Sequence, residues 1–368
     1  MKSKSIPFVF LLCVLCSCNT SGSRFALDDI EYITSFDAYD AIVPISKRSV
    51  VDLKIDGIRS FKVYGPYIIV STAHENGQIT IFEKQPPYQR VGSFFPKGNG
   101  PGELVYPLSP SSFVYHTSED GTITAELDNK AGKLIRFDIT RSITERRTVT
   151  ETIGETKRTT FEVINLGEDG IFYKDISDTR DAQIRYIVKD GEKIITKSME
   201  KLNAAILKNK EDDGLRFNVL SGSVKYDAAT KKFCETPGQI NAIHIYSLDD
   251  SYAKTFCFGK KLYDYNELAD RPQGERRNTS ICTRLGNRFL QVLYVDVTKN
   301  EYSEGAWKPS LILLPLSGND DAPRRFQLPD RVDSFDFDIF INGYYTTAAN
   351  LYALDSATES MYVYDLLD

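Results

Sequence analysis

An all-β fold is predicted, a six-bladed β-propeller of four-stranded antiparallel blades with a short helical insertion near residues 198–212. Three observations predict it. Tyr and Phe number 21 each against one Trp and three Met, and Val, Ile and Thr are abundant, a mixture that suits pleated, half-buried strands. From Tyr67 onward, short apolar runs alternate with Asn-Gly, Asp-Gly or Gly-Lys turns, the pattern of meanders and hairpins. A loose unit also recurs in "QITIFEK", "KLIRFDI", "QIRYIVKD", "AIHIYSLD" and "SMYVYDL". With an irregular unit around "SLILLPLSG", six units of about 55 residues fill the chain, the size of a propeller blade.

Taken in chain order, the first segment is an address. Lys2 and Lys4 precede an apolar run from Ile6 to Leu15, far shorter than the roughly twenty residues that cross a bilayer. Residues 1–17 therefore read as a signal peptide. The run ends in Leu15-Cys16-Ser17-Cys18, which resembles a bacterial lipobox with Leu at −3, a small residue at −1 and Cys18 as the lipidated position. Cys16 is the weaker candidate, because Cys13 stands at its −3 position. Residues 18–24 are then the lipidated cysteine and a small, polar tether, and 25–368 a single propeller domain. Several acyl chains on one cysteine hold a membrane stably where one chain does not. The expected partner of the anchor is thus the membrane, and the expected place the cell envelope.

Hydrophobic residues make up 41% and charged residues 26%, enough for a large core. Net charge is −6, and loss of Lys2 and Lys4 leaves about −8 on the mature chain. Basic residues are scattered, so nucleic acid is not an expected partner. The densest basic cluster, "TERRT" at 144–148, reads as a solvated strand edge. Cys13 and Cys16 leave with the signal, and Cys234, Cys257 and Cys282 remain, so at most one internal disulfide forms. None of the three has Cys or His at zinc spacing, and buried thiols are the expectation.

Two stretches break the strand pattern. Met199, Leu202 and Ile206 are at helical spacing, and "LYDYNELADRP" supports a short helix ending before Pro272. A third stretch, "SFFPKGNGPGEL" (93–104), raises the question of a phosphate loop. Such a loop needs a helix after its glycines, and Pro107 and Pro110 forbid one. Pro101 fixes its own φ and biases Gly100 toward extended backbone, so Gly98, Gly100, Pro101 and Gly102 read as a corner between blades.

"FPKGNGPGEL" resembles the G-x-G-P-G-E-[FL] segment of the TolB-like six-bladed β-propeller lipoproteins of Bacteroides and relatives, through Gly98, Gly100, Pro101, Gly102, Glu103 and Leu104. The lipobox, the strand pair before the motif and the chain length agree with it. The chain departs from the pattern where the helical stretch interrupts blade four and where blade five is poorly patterned. The resemblance implies a scaffold and an address, lipid-anchored to the outer membrane of a Gram-negative bacterium, and no reaction.

Catalytic signatures are sparse. Only three His occur, and neither H-E-x-x-H nor G-x-S-x-G is present. His244, in "AIHIYS", reads as a satisfied strand histidine, and His74, near a turn, is a candidate for the propeller mouth. Asp336 and Asp338 project to one face of a strand, either as solvated strand-entry residues or as two ligands of a hard cation such as Ca²⁺. Trp307 is either a cap over a blade or an exposed platform for a sugar ring. The first functional expectation is a surface-tethered binding module whose mouth takes a glycan, a peptide or an envelope protein. The second, by fold analogy alone, is a lactonase- or lyase-like enzyme holding a metal with carboxylates and amides from separate blades, acting on a carbohydrate-type substrate. The third is a structural component of an envelope complex. No cofactor is required by the sequence.

Overall fold

The computed structural model describes residues 29–36, 40–44, 47–100, 102–157, 160–176, 183–204, 222–286, 289–316, 323–337 and 350–365. Their strands form six separate sheets. Blade 1 is built from Ile58–Tyr64, Tyr67–Thr72, Ile79–Glu83 and Arg90–Phe94, and blade 2 from Val114–Thr117, Ile123–Asp128, Lys133–Asp138 and Thr150–Glu155. Blade 3 holds Thr160–Asn165, Ile171–Ile176, Gln183–Lys189 and Glu192–Ile194, and blade 4 Gly222–Asp227, Lys232–Pro237, Ala242–Ser247 and Ala253–Phe258. Blade 5 holds Arg277–Leu285, Phe289–Thr298, Ser310–Pro315 and Arg324–Gln327. Blade 6 has Ser334–Phe337, Asn350–Asp355 and Ser360–Asp365. The blade strands named here pair antiparallel in sequence order, and the first strands of successive blades meet around a central channel. The fold is a six-bladed β-propeller.

The recurring sequence unit has a structural meaning. "QITIFEK", "KLIRFDI", "QIRYIVKD", "AIHIYSLD" and "SMYVYDL" fall on the third strand of blades 1, 2, 3, 4 and 6, and "SLILLPLSG" begins the third strand of blade 5. That strand is flanked by partners on both edges and by neighbouring blades on both faces. Blade 5 therefore has four strands like the others, with two register shifts between its first two strands, although its sequence is poorly patterned. Ser310–Pro315 loses alternation because it is buried on both faces, not because the blade is irregular.

The ring is closed by the N-terminal chain. Lys47–Val50 pairs antiparallel with Ser360–Asp365 and supplies the outermost strand of blade 6. Before it, Ile30–Ile33 and Asp40–Pro44 add parallel fifth strands to the outer edges of blades 4 and 5. One N-terminal belt thus pairs with three consecutive blade edges and becomes their outermost strand.

Five seams between blades are filled by buried apolar clusters, such as Ile79, Phe94 and Phe95 of blade 1 against Ile135 and Phe137 of blade 2. Between blades 2 and 3, among the described residues, polar links dominate, including Lys130 Nζ to the Phe161 carbonyl at 3.1 Å and Tyr173 Oη to the Glu155 carbonyl at 3.3 Å. At the outer hairpin of blade 3, Asp190 (φ 52) and Gly191 (φ 81) both take left-handed backbone, the conformation a two-residue hairpin turn demands.

Helices are short and lie in connections. Helix α1 (Ile139–Glu145) links the last two strands of blade 2, so "TERRT" ends a helix rather than edging a strand, and Glu145 pairs with Arg141 at 2.9 Å. Helix α2 (Lys197–Asn203) carries the predicted insertion, with Met199 and Leu202 buried and Thr196 capping the Met199 N–H. It sits in the link ahead of blade 4, so that blade is not interrupted, and positions 205–212 of the predicted insertion lie outside the described residues. Helix α3 (Tyr265–Asp270) matches the predicted turn before Pro272. Helix α4 (Lys299–Glu304), starting at a Thr298/Glu301 capping box, was not anticipated.

Candidate functional site

The first strands place side chains from separate blades at one end of the channel, around a cavity of about 330 Å³. Tyr64, Tyr115 and Tyr226 form aromatic walls, with the rings of Tyr64 and Tyr115 stacked at 4.8 Å. Lys62, Lys225 and Arg284 bring positive charge from blades 1, 4 and 5. Short loop residues Ala228 and Ala229 form an exposed lip.

Asp336, on the first strand of blade 6, organises this floor. It is 3% exposed, accepts the Val63 N–H at 2.7 Å and lies 3.0 Å from Lys62 Nζ and 3.4 Å from Arg284 Nε. Burial alone raises its carboxyl, but Lys62 and Arg284 outweigh that and hold it below the usual range. This corrects the expectation of a solvated strand-entry residue. It also leaves Asp336 matched to cationic side chains instead of facing a cation site. Its proposed companion Asp338 lies outside the described residues. Beside this network, burial and the Asp336 charge push the Tyr115 phenol well up, so Tyr115 is a neutral wall.

A second network lies behind the cavity, between blades 3 and 4. Arg185 clamps Glu235 through Nε at 2.9 Å and Nη2 at 2.8 Å, Tyr246 donates to Glu235 Oε1 at 2.9 Å, and Lys174 Nζ stands 3.8 Å from Glu235 Oε2. Burial raises the Glu235 carboxyl, yet Arg185 and Lys174 dominate and hold it down to about 2. Burial pulls Lys174 down to about 8 against the pull of Glu235. Glu162, half-buried nearby, is raised by desolvation despite Lys225 and Lys174. Neither network was foreseen. The available signal was a charge inside each apolar strand: Lys174 in "IFYKDI", Arg185 in "QIRYIVK" and Glu235 in "KFCETP".

The other expected site residues are dispersed. His74 is exposed on the loop between the second and third strands of blade 1, with Nε2 3.0 Å from the Asp56 carbonyl. It lines a separate cavity with Arg90 and Ser93, away from the channel floor. Trp307 is 7% exposed, stacks on Tyr302 at 4.7 Å and donates to the Tyr302 carbonyl at 3.0 Å. It caps the connection that carries α4 and is not at the channel mouth. His244 is buried in blade 4 with Nδ1 3.3 Å from Thr255 Oγ1, and desolvation drives its imidazole down to about 4. Cys234 and Cys257 are free, buried thiols. Cys18 and Pro101 lie outside the described residues. Among the described residues no group of three or more His, Cys, Asp or Glu is arranged to hold a metal ion.

The glycine-rich stretch sits where blade 1 hands over to blade 2. Phe95 and Leu104 enter the seam core, with Phe95 4.7 Å from Phe137, and the Phe95 N–H donates to Thr148 Oγ1 at 2.9 Å. The Glu103 carboxylate turns back to accept the Gly100 N–H at 2.8 Å, and a Cβ on Gly98 would collide with that carboxylate. The Gly100 N–H that a phosphate loop would present is therefore already taken by the chain's own acid.

No family model matches the chain, and no curated protein does. Solved structures similar to it include a protein assigned as exported in Bacteroides fragilis, at TM-score 0.48 and 13% identity over 92% of this chain and 99% of that one. A member of the DUF4221 family from Bacteroides vulgatus matches at 0.48 and 11% over 87% and 96%. A hypothetical selenium-binding protein of Sulfolobus tokodaii matches at 0.38 and 14% over 75% and 67%.

Proposed function

We propose that this chain is a surface-tethered binding module that recognises its ligand at the channel mouth, with Cys18 bearing the lipid and the outer membrane of a Gram-negative envelope as its place. The observation that carries the reading is the cavity itself. It is open, strands of several blades line it with aromatic and charged side chains together, and its volume of about 330 Å³ is in the range of small-ligand sites. A mouth packed solid with apolar side chains would have spoken against recognition. The resemblance of the Gly98–Leu104 segment and the lipobox to the TolB-like lipoproteins supports the address.

The test is an equilibrium-binding screen of glycans, peptides and envelope proteins against the full chain and Ala229→Trp. Ala229 is on the exposed lip, so the bulky ring obstructs the mouth without touching the core. Ligands bound by the parent and lost by Ala229→Trp support the reading; ligands bound equally by both contradict it. For the anchor, Cys18→Ala should move the protein from the membrane fraction to the soluble fraction, and an unchanged membrane fraction contradicts lipidation there.

A further inference from the structure

We propose that the rim of blade 1 carries a second binding site, separate from the channel mouth, for a phosphate-type oxyanion. The site is a cavity of about 260 Å³ where the loop between the second and third strands meets the fourth strand and the segment leading into the blade.

The fourth strand is built to aim a cation into this cavity. Arg90 and Ser93 are three positions apart, so in a regular strand they would face opposite sides of the sheet. The register slips between them. Ile81 stands opposite Gly92 and Phe82 opposite Arg90, which leaves Val91 as an extra residue and turns Arg90 onto the face of Ser93. There Arg90 Nη2 donates to Ser93 Oγ. The guanidinium is exposed, and among the described residues no carboxylate pairs with it.

The hydroxyls behind it hold one proton too many. Thr80 Oγ1 and Ser93 Oγ lie 2.8 Å apart, and a single proton serves that hydrogen bond. Arg90 accepts nothing, so the other hydroxyl proton has no acceptor among the described residues. Thr80 is 1% exposed and Ser93 half-buried, and both line the cavity. A donor held there without an acceptor is costly, and an oxyanion supplies the acceptor.

Asn76, exposed on the loop, offers an amide from a third side. Among the described residues, none of the side chains lining the cavity is a carboxylate. Two acids adjoin the lining in sequence. Glu75 pairs with Lys97 at 3.2 Å, and the Asp56 carbonyl lies 3.0 Å from His74 Nε2. Guanidinium, hydroxyl and amide thus come from different directions, and a tetrahedral group has an oxygen for each.

The test is a calorimetric titration of the full chain with inorganic phosphate, glycerol 3-phosphate and acetate at equal, low ionic strength. It is repeated with Arg90→Gln, Ser93→Ala and Ala229→Trp, and the thermal midpoint of each variant shows that it is folded. The phosphates should bind in the millimolar range, at least about threefold tighter than acetate. Arg90→Gln should weaken them about tenfold or more and Ser93→Ala about threefold to tenfold. Ala229→Trp, at the channel mouth, should leave them unchanged. Whichever phosphate binds more tightly tells a free ion from an ester such as a lipid headgroup, and either order supports the site. Phosphates that fail to bind, bind no better than acetate, or ignore Arg90→Gln overturn it. Phosphate binding lost with Ala229→Trp and kept with Arg90→Gln belongs to the channel mouth and overturns it as well.

Discussion

Lys62 and Asp336 stand 274 positions apart in sequence, and their side chains meet at 3.0 Å across the seam where the first blade closes on the last. The Val63 N–H, the Phe337 N–H and Arg284 also reach this carboxylate. One buried acid thus joins blades 1, 5 and 6 at the floor of the cavity. Removing one partner of such a network leaves the others uncompensated, which costs more than the pair itself contributes. Asp336→Ala should lower stability by about 3 kcal/mol or more, read as an earlier urea-unfolding midpoint. A midpoint within experimental scatter of the parent contradicts the role.

His244 gives a pH signature. Its folded imidazole titrates near 4 and its unfolded one near 6.5, because burial disfavours the charged form. Between these values the unfolded chain binds the extra proton, so stability falls as pH drops from about 6.5 toward 4. Glu235 adds a lower arm. Its folded carboxyl is held to about 2 against 4.5 unfolded, so its contribution is present above 4.5 and lost as pH falls toward 2. His244→Gln should flatten the thermal midpoint against pH between 6.5 and 4.5 and leave the lower arm in place. An unchanged upper slope rules His244 out as its source.

Gly98 and Glu103 should be coupled. Gly98→Ala forces the Glu103 carboxylate away from the Gly100 N–H and loosens the corner between blades 1 and 2. The expected loss is about 1–2 kcal/mol. In the Glu103→Ala background the added methyl has room, so the double variant should lose less than the sum of the single losses. Strict additivity in that cycle would remove Glu103 as the reason for the glycine.

The architecture was legible in the sequence where burial on both faces imposes a pattern. The third strand of every blade lies between two neighbours, so most of its residues are apolar or aromatic, and that is the unit that recurs. The belt was not legible. Ile30–Ile33 and Asp40–Pro44 join blades 4 and 5 through backbone hydrogen bonds on an open edge, which ask little of side-chain identity. The site was legible only in part. Asp336 was singled out, but for two carboxylates on one strand face, whereas its partners Lys62 and Arg284 come from other blades. Trp307 was singled out for its aromatic ring, and Tyr302, five residues before it, covers that ring.

The belt should contribute unequally along its length. Removing residues 1–46 takes away two added edge strands and leaves each blade its four strands. Removing 1–50 also strips Lys47–Val50 from blade 6, with the Arg48–Asp330 pair at 2.9 Å and the Arg48 guanidinium 4.2 Å over Tyr362. The shorter truncation should unfold cooperatively at a somewhat lower midpoint. The longer one should unfold much earlier and be cut by protease within blade 6 first. Equal behaviour of the two would show that closure does not depend on that strand.

The most direct test of recognition at the channel mouth is a crystal structure of the full chain with the tightest ligand from the screen. The account predicts ligand density between Tyr115, Tyr226 and Arg284. Ligand seated on an outer blade edge, with the channel mouth empty, would contradict it.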